Sequence, residues 1–370
     1  MITSGRLRRR RARTGRWVAV RVSPVVLTVL IAALAYSTPR EAAISRLLPV
    51  APALAAAMWR VLPTVLLGIV CLLLMVGLTF VYTDLGSPYT GAAIAAVTLA
   101  AAYTSHVRIQ REEALFRTRL VADAAQTVLL RPVPRRIQNV EIESLYLAAQ
   151  EQARIGGDFY EVADTPYGVR LLIGDVRGKG LSAVGAAAAV IGSFREAAYE
   201  EPDLGELTRR LEAGIARYYS SYPSQDLPER FATAVIAEIP RGGSRLRLLN
   251  CGHPPPILVH AGRVQVLEPS AVSAPLAFSD LVGDAYAVDT HRFTAGDQLL
   301  LYTDGVTETR DRAGTFFPLP EWMSGQSPAA PRQLLDRLHR DLVRHSDGRL
   351  EDDIAALAVH ARHVAAGGAP

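Results

Sequence analysis

A chain of 370 residues, 49% hydrophobic and with a mean hydropathy of +0.16, is too apolar to be largely disordered and long enough for two or three folded units. Its charge is unevenly placed. Residues 1–111 carry 13 Arg against Glu41 and Asp84, a net +11, while the remainder carries 27 basic and 34 acidic residues, a net −7. The formal +4 therefore belongs to basic flanks around an apolar region, which argues against nucleic acid as a partner.

Two cysteines, Cys71 and Cys251, exclude a disulfide scaffold and suit a reducing compartment. Lys179 is the one lysine among 40 basic residues, as expected of an Arg- and Ala-rich composition.

A basic tail, residues 1–16, opens the chain. The transmembrane region follows over 17–107, since about 20 apolar residues cover a bilayer core. Val61 to Tyr82 is the clearest stretch, 22 residues without a charge. Trp17 to Tyr36 also qualifies, with Arg21 near its end, and Leu85 to Val107 is Ala-rich and less hydrophobic. Leu47 to Trp59 has 13 uncharged residues between Arg46 and Arg60 and alone would be interfacial. Arginines crowd both flanks, Arg6 to Arg16 before the region and Arg108, Arg111, Arg117 and Arg119 after it. Both flanks are expected in the cytoplasm, so the span number is expected to be even, four with two as the alternative. A signal peptide cleaved after Ala33-Leu34-Ala35 is the rival account of the first stretch. The expected location is the cell membrane, with the bilayer itself as a partner.

Residues 108–135 form a linker. Within it 108–130 lacks Pro and Gly and spaces Leu115, Leu120, Val121, Ala124, Val128 and Leu129 at roughly helical intervals before Pro132 and Pro134. The pattern predicts an amphipathic helix, which suits a homodimer seam as well as a spacer.

Short alternating or β-rich runs fill 136–362, the third unit. Strands are predicted at Val140–Ala148, Asp158–Ala163, Val169–Val176, Phe231–Ile239, Leu246–Cys251, Ile257–His260, Ala285–Phe293, Gln298–Thr303 and Ile354–His360. Helices are predicted at 181–199, 203–220 and 331–345. Many strands with few, grouped helices make an α+β fold of packed sheets with helices outside. A short tail, 363–370, is expected to be disordered.

Four of these segments place an Asp at a strand end or in the turn beside it: Asp158 in Gly-Gly-Asp-Phe-Tyr, Asp175 in Ile-Gly-Asp-Val, Asp304 in Tyr-Thr-Asp-Gly and Asp353 in Glu-Asp-Asp-Ile. One such Asp is usually a turn former. Four carboxylates, with no His or Cys among them, suit hard cations such as Mg²⁺ or Mn²⁺. Residues 174–180 lack P-loop spacing, and Gly180-Leu181-Ser182 is not a nucleophile elbow. His253, before three prolines, suits loop packing better than a general base.

These motifs stand in a familiar order, with Phe-Ala-Thr-Ala at 231–234 and Cys-Gly-His-Pro-Pro-Pro at 251–256 between them. Over about residues 140–360 the chain resembles the metal-dependent (PPM, type 2C-like) protein serine/threonine phosphatases, closest to the bacterial stage II sporulation E-type branch. The resemblance implies two packed antiparallel sheets flanked by helices and a dinuclear Mn²⁺/Mg²⁺ centre. Carried over by motif, Asp175 bridges both cations, Asp158 and the main-chain carbonyl of Val176 complete one site, and Asp304 and Asp353 complete the other. Glu161 and Cys251 depart from the family's usual residues, but neither stands at a ligand position.

The resemblance further implies hydrolysis of phosphoserine or phosphothreonine on a cytoplasmic regulator, such as an anti-anti-sigma factor, and a helix at 181–191 able to gate the Asp175 turn. Two rival functions remain: a membrane-anchored docking module without turnover, and a phosphohydrolase acting on a small phosphomonoester.

Overall fold

The computed structural model describes residues 21–38, 44–82, 88–148, 156–221, 231–242, 244–278, 286–327 and 329–362. The tails 1–16 and 363–370 lie outside the described residues. The chain divides into two compact units, Met1–Arg117 and Thr118–Pro370.

In the first unit the apolar stretches are helical: α1 (Arg21–Ser37 over its described part), α2 (Val50–Ala56, after a 3-10 turn at Ile44–Leu47), α3 (Val61–Tyr82) and α4 (Pro88–Leu129). α3, and α4 over Tyr89–Arg117, are long and apolar enough to cross a membrane, whereas Ile44–Ala56 is shorter than a span requires. Ile31, Leu48, Ala55, Leu67, Cys71, Met75 and Ile94 pack together between them. The Trp59 indole donates to the Arg21 carbonyl at 2.8 Å, the Ser105 hydroxyl to the Trp59 carbonyl at 2.7 Å, and Arg108 to the Ala56 and Trp59 carbonyls at 3.3 and 2.8 Å. These bonds set the start of α1, the end of α2, the start of α3 and residues 105–108 of α4 at one level. The helices therefore alternate in direction, and Arg21, Arg60 and Arg108 share one end.

The linker helix expected at 108–130 is not separate from the last apolar stretch. α4 runs 42 residues without interruption, because no Gly or Pro stands between Gly91 and Pro132. Leu115, Val121, Ala124 and Val128 are exposed along it, while the Leu120 side chain lies outside the described residues. At about 100° per residue Val121, Ala124 and Val128 share a face and Leu115 lies off it. Leu129 is not part of that face either. It packs against Val184 and the core of the second unit, so the last turns of α4 belong there and not to a free linker.

Among its described residues the second unit has eleven strands: β1 (Arg136–Ile137), β2 (Val140–Leu147), β3 (Phe159–Thr165), β4 (Gly168–Val176), β5 (Ala232–Pro240), β6 (Arg245–Cys251), β7 (Ile257–His260), β8 (Arg263–Val266), β9 (Val288–Arg292), β10 (Gln298–Tyr302) and β11 (Ile354–Ala361). Its helices are α5 (Leu181–Glu200), α6 (Leu204–Ser221), α7 (Asp304–Thr307), α8 (Leu319–Ser324) and α9 (Pro331–His345). The strands form a six-stranded sheet, β1-β2-β11-β10-β7-β8, and a five-stranded sheet, β3-β4-β5-β6-β9, and every pair of strands named here is antiparallel.

Period-2 alternation decides the layers. Val169, Leu171 and Ile173 of β4 meet Leu299 and Leu301 of β10 and Ala355, Leu357 and Val359 of β11 between the sheets. Their neighbours point the other way. Phe159, Leu172 and Val176 pack on Ala183, Ala187, Val190 and Phe194 of α5 and Leu207 and Leu211 of α6. Leu300, Ile354 and Ala356 pack on Leu334, Leu338 and Leu342 of α9. Helices thus cover both outer faces, which is why the central strands read as nearly continuous apolar runs.

α5 also has the length and hydropathy of a span. Its small apolar face is consumed by the sheet, so its composition reports a core helix. β1, β8, α7 and α8 escaped the sequence reading because none is longer than six residues.

Candidate functional site

Antiparallel register gathers the acidic residues. Phe159 of β3 faces Gly174 of β4, so Asp158, just ahead of β3, comes beside Asp175 near the end of β4. In the other sheet Tyr302 of β10 faces Ala356 of β11, which sets Asp304, the first residue of α7, beside Asp353 ahead of β11. Sheet stacking then brings the two pairs together. The charges of Asp175, Asp353 and Asp304 all act on Asp158.

Two glycines permit this approach. A Cβ on Gly157 would lie 2.4 Å from the Val176 carbonyl oxygen, and one on Gly305 would lie 2.0 Å from the Asp353 carbonyl oxygen. In both cases the obstacle is backbone, so no side chain can yield to admit a larger residue. Val176, whose carbonyl is an expected ligand, also donates its N–H to the Gly157 carbonyl at 3.2 Å.

Neutral donors hold the carboxylates. Thr303, wholly buried, donates its hydroxyl to Asp158 Oδ2 at 2.7 Å and accepts the Ala355 N–H at 2.9 Å, which ties β10, β11 and Asp158 into one unit. Asp353 Oδ2 accepts the Tyr146 hydroxyl at 2.9 Å and the Gly156 N–H at 2.8 Å. Sequence reasoning missed both Thr303 and Tyr146. Thr303 had a signal, its place directly before Asp304; Tyr146 had none, lying 207 residues from its partner. Lys179 pairs with Asp352 at 3.0 Å, and both are half-exposed at the rim.

Three of these carboxyl groups, Asp158, Asp175 and Asp304, resist ionisation. Burial, and then the charge of Asp304, push Asp175 up to about 7. Burial, and then Asp175, push Asp158 well above the ordinary carboxylate range. Asp304 is raised as well, by burial and by Glu308. This donor set, all oxygen and strongly in need of positive charge, fits hard divalent cations. Among the described residues no three Asp, Glu, His or Cys side chains are already closed into a single coordination sphere.

His253 is neutral structure and not a base. It accepts from or donates to the Thr233 hydroxyl through Nδ1 at 2.9 Å, and Nε2 lies 3.1 Å from the Tyr302 carbonyl. Burial pushes it down to about 3. The carbonyl partner requires the proton on Nε2, so Nδ1 accepts from Thr233, the residue opposite Asp175 on β5.

A double antiparallel sandwich between helices, with two carboxylates contributed by each sheet at one end, defines a PP2C-type domain. The solved SiaA-PP2C domain of Pseudomonas aeruginosa has this fold, at a TM-score of 0.51 and 14% identity over 69% of this chain and 98% of that one. Residues 165–362 match the family described as Stage II sporulation protein E (SpoIIE), and the chain belongs to that family. The match takes in Asp175, Asp304 and Asp353 and begins after Asp158. Phosphoserine phosphatase RsbP of Bacillus subtilis is 27% identical over 173 residues, 46% of this chain and 40% of RsbP. Protein IcfG of Synechocystis is 27% identical over 133 residues, 35% of this chain and 20% of that protein. The chain therefore spans less than half the length of either relative.

Proposed function

We propose that the protein is a membrane-anchored, Mn²⁺- or Mg²⁺-dependent protein serine/threonine phosphatase acting on a phosphorylated cytoplasmic regulator. The observation that carries this reading is the meeting of Asp158, Asp175, Asp304 and Asp353 at one end of the sandwich, two from each sheet. With the Val176 carbonyl these residues would hold two divalent cations, which when bound supply Lewis acidity toward water and toward phosphate oxygens. The chain's own residues do the positioning. Thr303 orients Asp158, Tyr146 and the Gly156 N–H orient Asp353, and Lys179 places one positive charge at the rim.

An anti-anti-sigma factor as the substrate is supported by family membership and by the phosphoserine activity in the name of RsbP. Membrane anchoring is supported by α3 and α4, and a cytoplasmic domain by the shared level of Arg21, Arg60 and Arg108. Self-association through α4 is supported by its exposed Val121, Ala124 and Val128. The full-length protein with Mn²⁺ is expected to release phosphate from phosphoserine and phosphothreonine peptides much faster than from small phosphomonoesters. Faster turnover of the small esters would favour the small-molecule rival, and no turnover of either would favour a docking module.

The raised carboxyl groups also set a pH dependence. A carboxyl whose pKa is higher in the folded state favours folding while it is protonated, and that contribution is lost as pH rises through the folded value. The metal-free domain should lose stability from this cluster between the ordinary carboxylate range and about 7, the value for Asp175. Cation binding reverses the sign, because it requires the ionised groups and competes with protons below that value. Thermal melting in detergent should therefore show a larger Mg²⁺-induced rise at pH 8 than at pH 6. A rise of equal size at both pH values would count against cation binding to these carboxylates.

A further inference from the structure

The chain passes from the five-stranded to the six-stranded sheet through residues 252–256, between β6 and β7, and His253 sits in that crossing. Its backbone is fixed on both sides. The His253 N–H donates to Asn250 Oδ1 at 2.8 Å, and Asn250 Nδ2 donates back to the His253 carbonyl at 2.8 Å. Gly252 supplies a left-handed turn before it, at φ +68°, and Pro254, Pro255 and Pro256 stiffen the chain after it. The ring is therefore aimed by its own loop, and the residue is only 5% exposed.

What the ring joins is the two sheets. Nδ1 accepts from Thr233 Oγ1 at 2.9 Å, and Thr233 is the residue of β5 directly opposite Asp175. Nε2 donates to the Tyr302 carbonyl at 3.1 Å, and Tyr302 ends β10, two residues before Asp304. The contacts of Thr303 with Asp158, of the Gly156 N–H with Asp353 and of Lys179 with Asp352 also cross between the sheets, and each uses a carboxylate. His253 makes its crossing with neutral groups alone, so its bonds keep the same form whatever the charge in the acidic cluster.

We infer that His253 is a positioning residue that sets the distance between Asp175 on one sheet and Asp304 and Asp353 on the other, and so governs the affinity of the cation those three would share. The inference rests on the ligand set proposed above. In that set Asp158, Asp175 and the Val176 carbonyl all belong to the five-stranded sheet, just ahead of β3 and at the end of β4. The second cation takes its ligands from both sheets, Asp175 from one and Asp304 and Asp353 from the other. A clamp between the sheets therefore bears on the second cation and spares the first. A general loosening of the fold would weaken both.

The test is Mn²⁺ binding to the full-length protein in detergent micelles, by calorimetry and by electron paramagnetic resonance of the spin-coupled pair, for wild type, His253→Phe, Thr233→Val, Thr233→Ser and Asp304→Asn. Near-ultraviolet circular dichroism checks each fold. His253→Phe keeps a ring in the buried site without either bond, and Thr233→Val keeps the branched shape without the donor. His253→Phe is expected to weaken one Mn²⁺ by about 10-fold, the lower end of the loss usual for outer partners of a metal ligand, and to leave the other unchanged. Thr233→Val should weaken the same ion by less, with less spin-coupled signal at a fixed Mn²⁺ concentration. Thr233→Ser, which keeps the hydroxyl, should match wild type. Wild-type affinity at both sites in a folded His253→Phe overturns the inference, and so does equal weakening of both ions. If His253→Phe does not fold, Thr233→Val decides, and it must weaken the same ion that Asp304→Asn loses. A Thr233→Ser variant as weak as Thr233→Val would assign the effect to packing of the methyl group, against the clamp. Should Asp304→Asn bind both ions as wild type does, the ligand assignment fails and this inference with it.

Discussion

Asp175→Asn is expected to lower Mn²⁺-supported phosphatase turnover of the full-length protein by about a thousandfold or more, the rate equivalent of ~4 kcal/mol lost from the transition state. The amide keeps the size of the side chain and its place near the end of β4, so the fold should persist. What it removes is the charge of the carboxylate expected to touch both cations. The metal-free protein should respond in the opposite sense. Burial and Asp304 oppose ionisation of Asp175, so the variant should melt at or above the wild-type temperature at pH 8. At pH 5, below the value of about 7 for Asp175, folded wild type is already protonated there and the difference should shrink, vanishing only below the ordinary carboxylate range, where the unfolded chain is protonated too. Normal turnover with two Mn²⁺ bound would show that Asp175 is not the bridging ligand.

Arg170→Ala is expected to destabilise the protein by about 3–5 kcal/mol, a large share of the stability of an ordinary domain. Arg170 is fully buried on β4, directly opposite Glu238 on β5. Its Nε and Nη2 donate to one Glu238 oxygen at 2.8 and 2.6 Å, and the guanidinium also donates to the carbonyls of Ala198, Glu201 and Pro202 where α5 ends. Alanine leaves those carbonyls without a donor in a dry interior, and leaves Glu238 with Arg247 alone, at 2.8 Å. Arg170→Lys should recover less than half of the loss, since one ammonium cannot serve a carboxylate and three carbonyls in fork geometry. Denaturant unfolding in detergent, followed by tryptophan fluorescence, measures both. A loss under ~1 kcal/mol for the alanine variant would mean that water or relaxation satisfies the orphaned groups.

The pattern of apolar residues by itself determined the spans of most elements, and hence the fold class. Nine strand runs and three helices read from period and punctuation agree with the structure to within a few residues, because a strand buried on one or both faces cannot hide its alternation or its apolar run. The four Asp were legible for a related reason. Each stands where an apolar run begins or stops, which places it at a strand end or in the turn beside it. No sequence property, however, states that β3 pairs with β4 while β10 pairs with β11, and it is this register that turns four separate turn formers into one electrostatically strained cluster. Tyr146 was invisible for the same cause: a hydrogen bond across 207 residues leaves no spacing in the chain. α4 was legible in length, since nothing between Gly91 and Pro132 breaks it. Which of its faces meets the second unit was decided only by packing, and packing placed Leu129 against the core and left Val121 and Val128 outside. Local sequence fixes what a segment can form; which groups are then neighbours depends on contacts whose energy appears only once the distant segments have met.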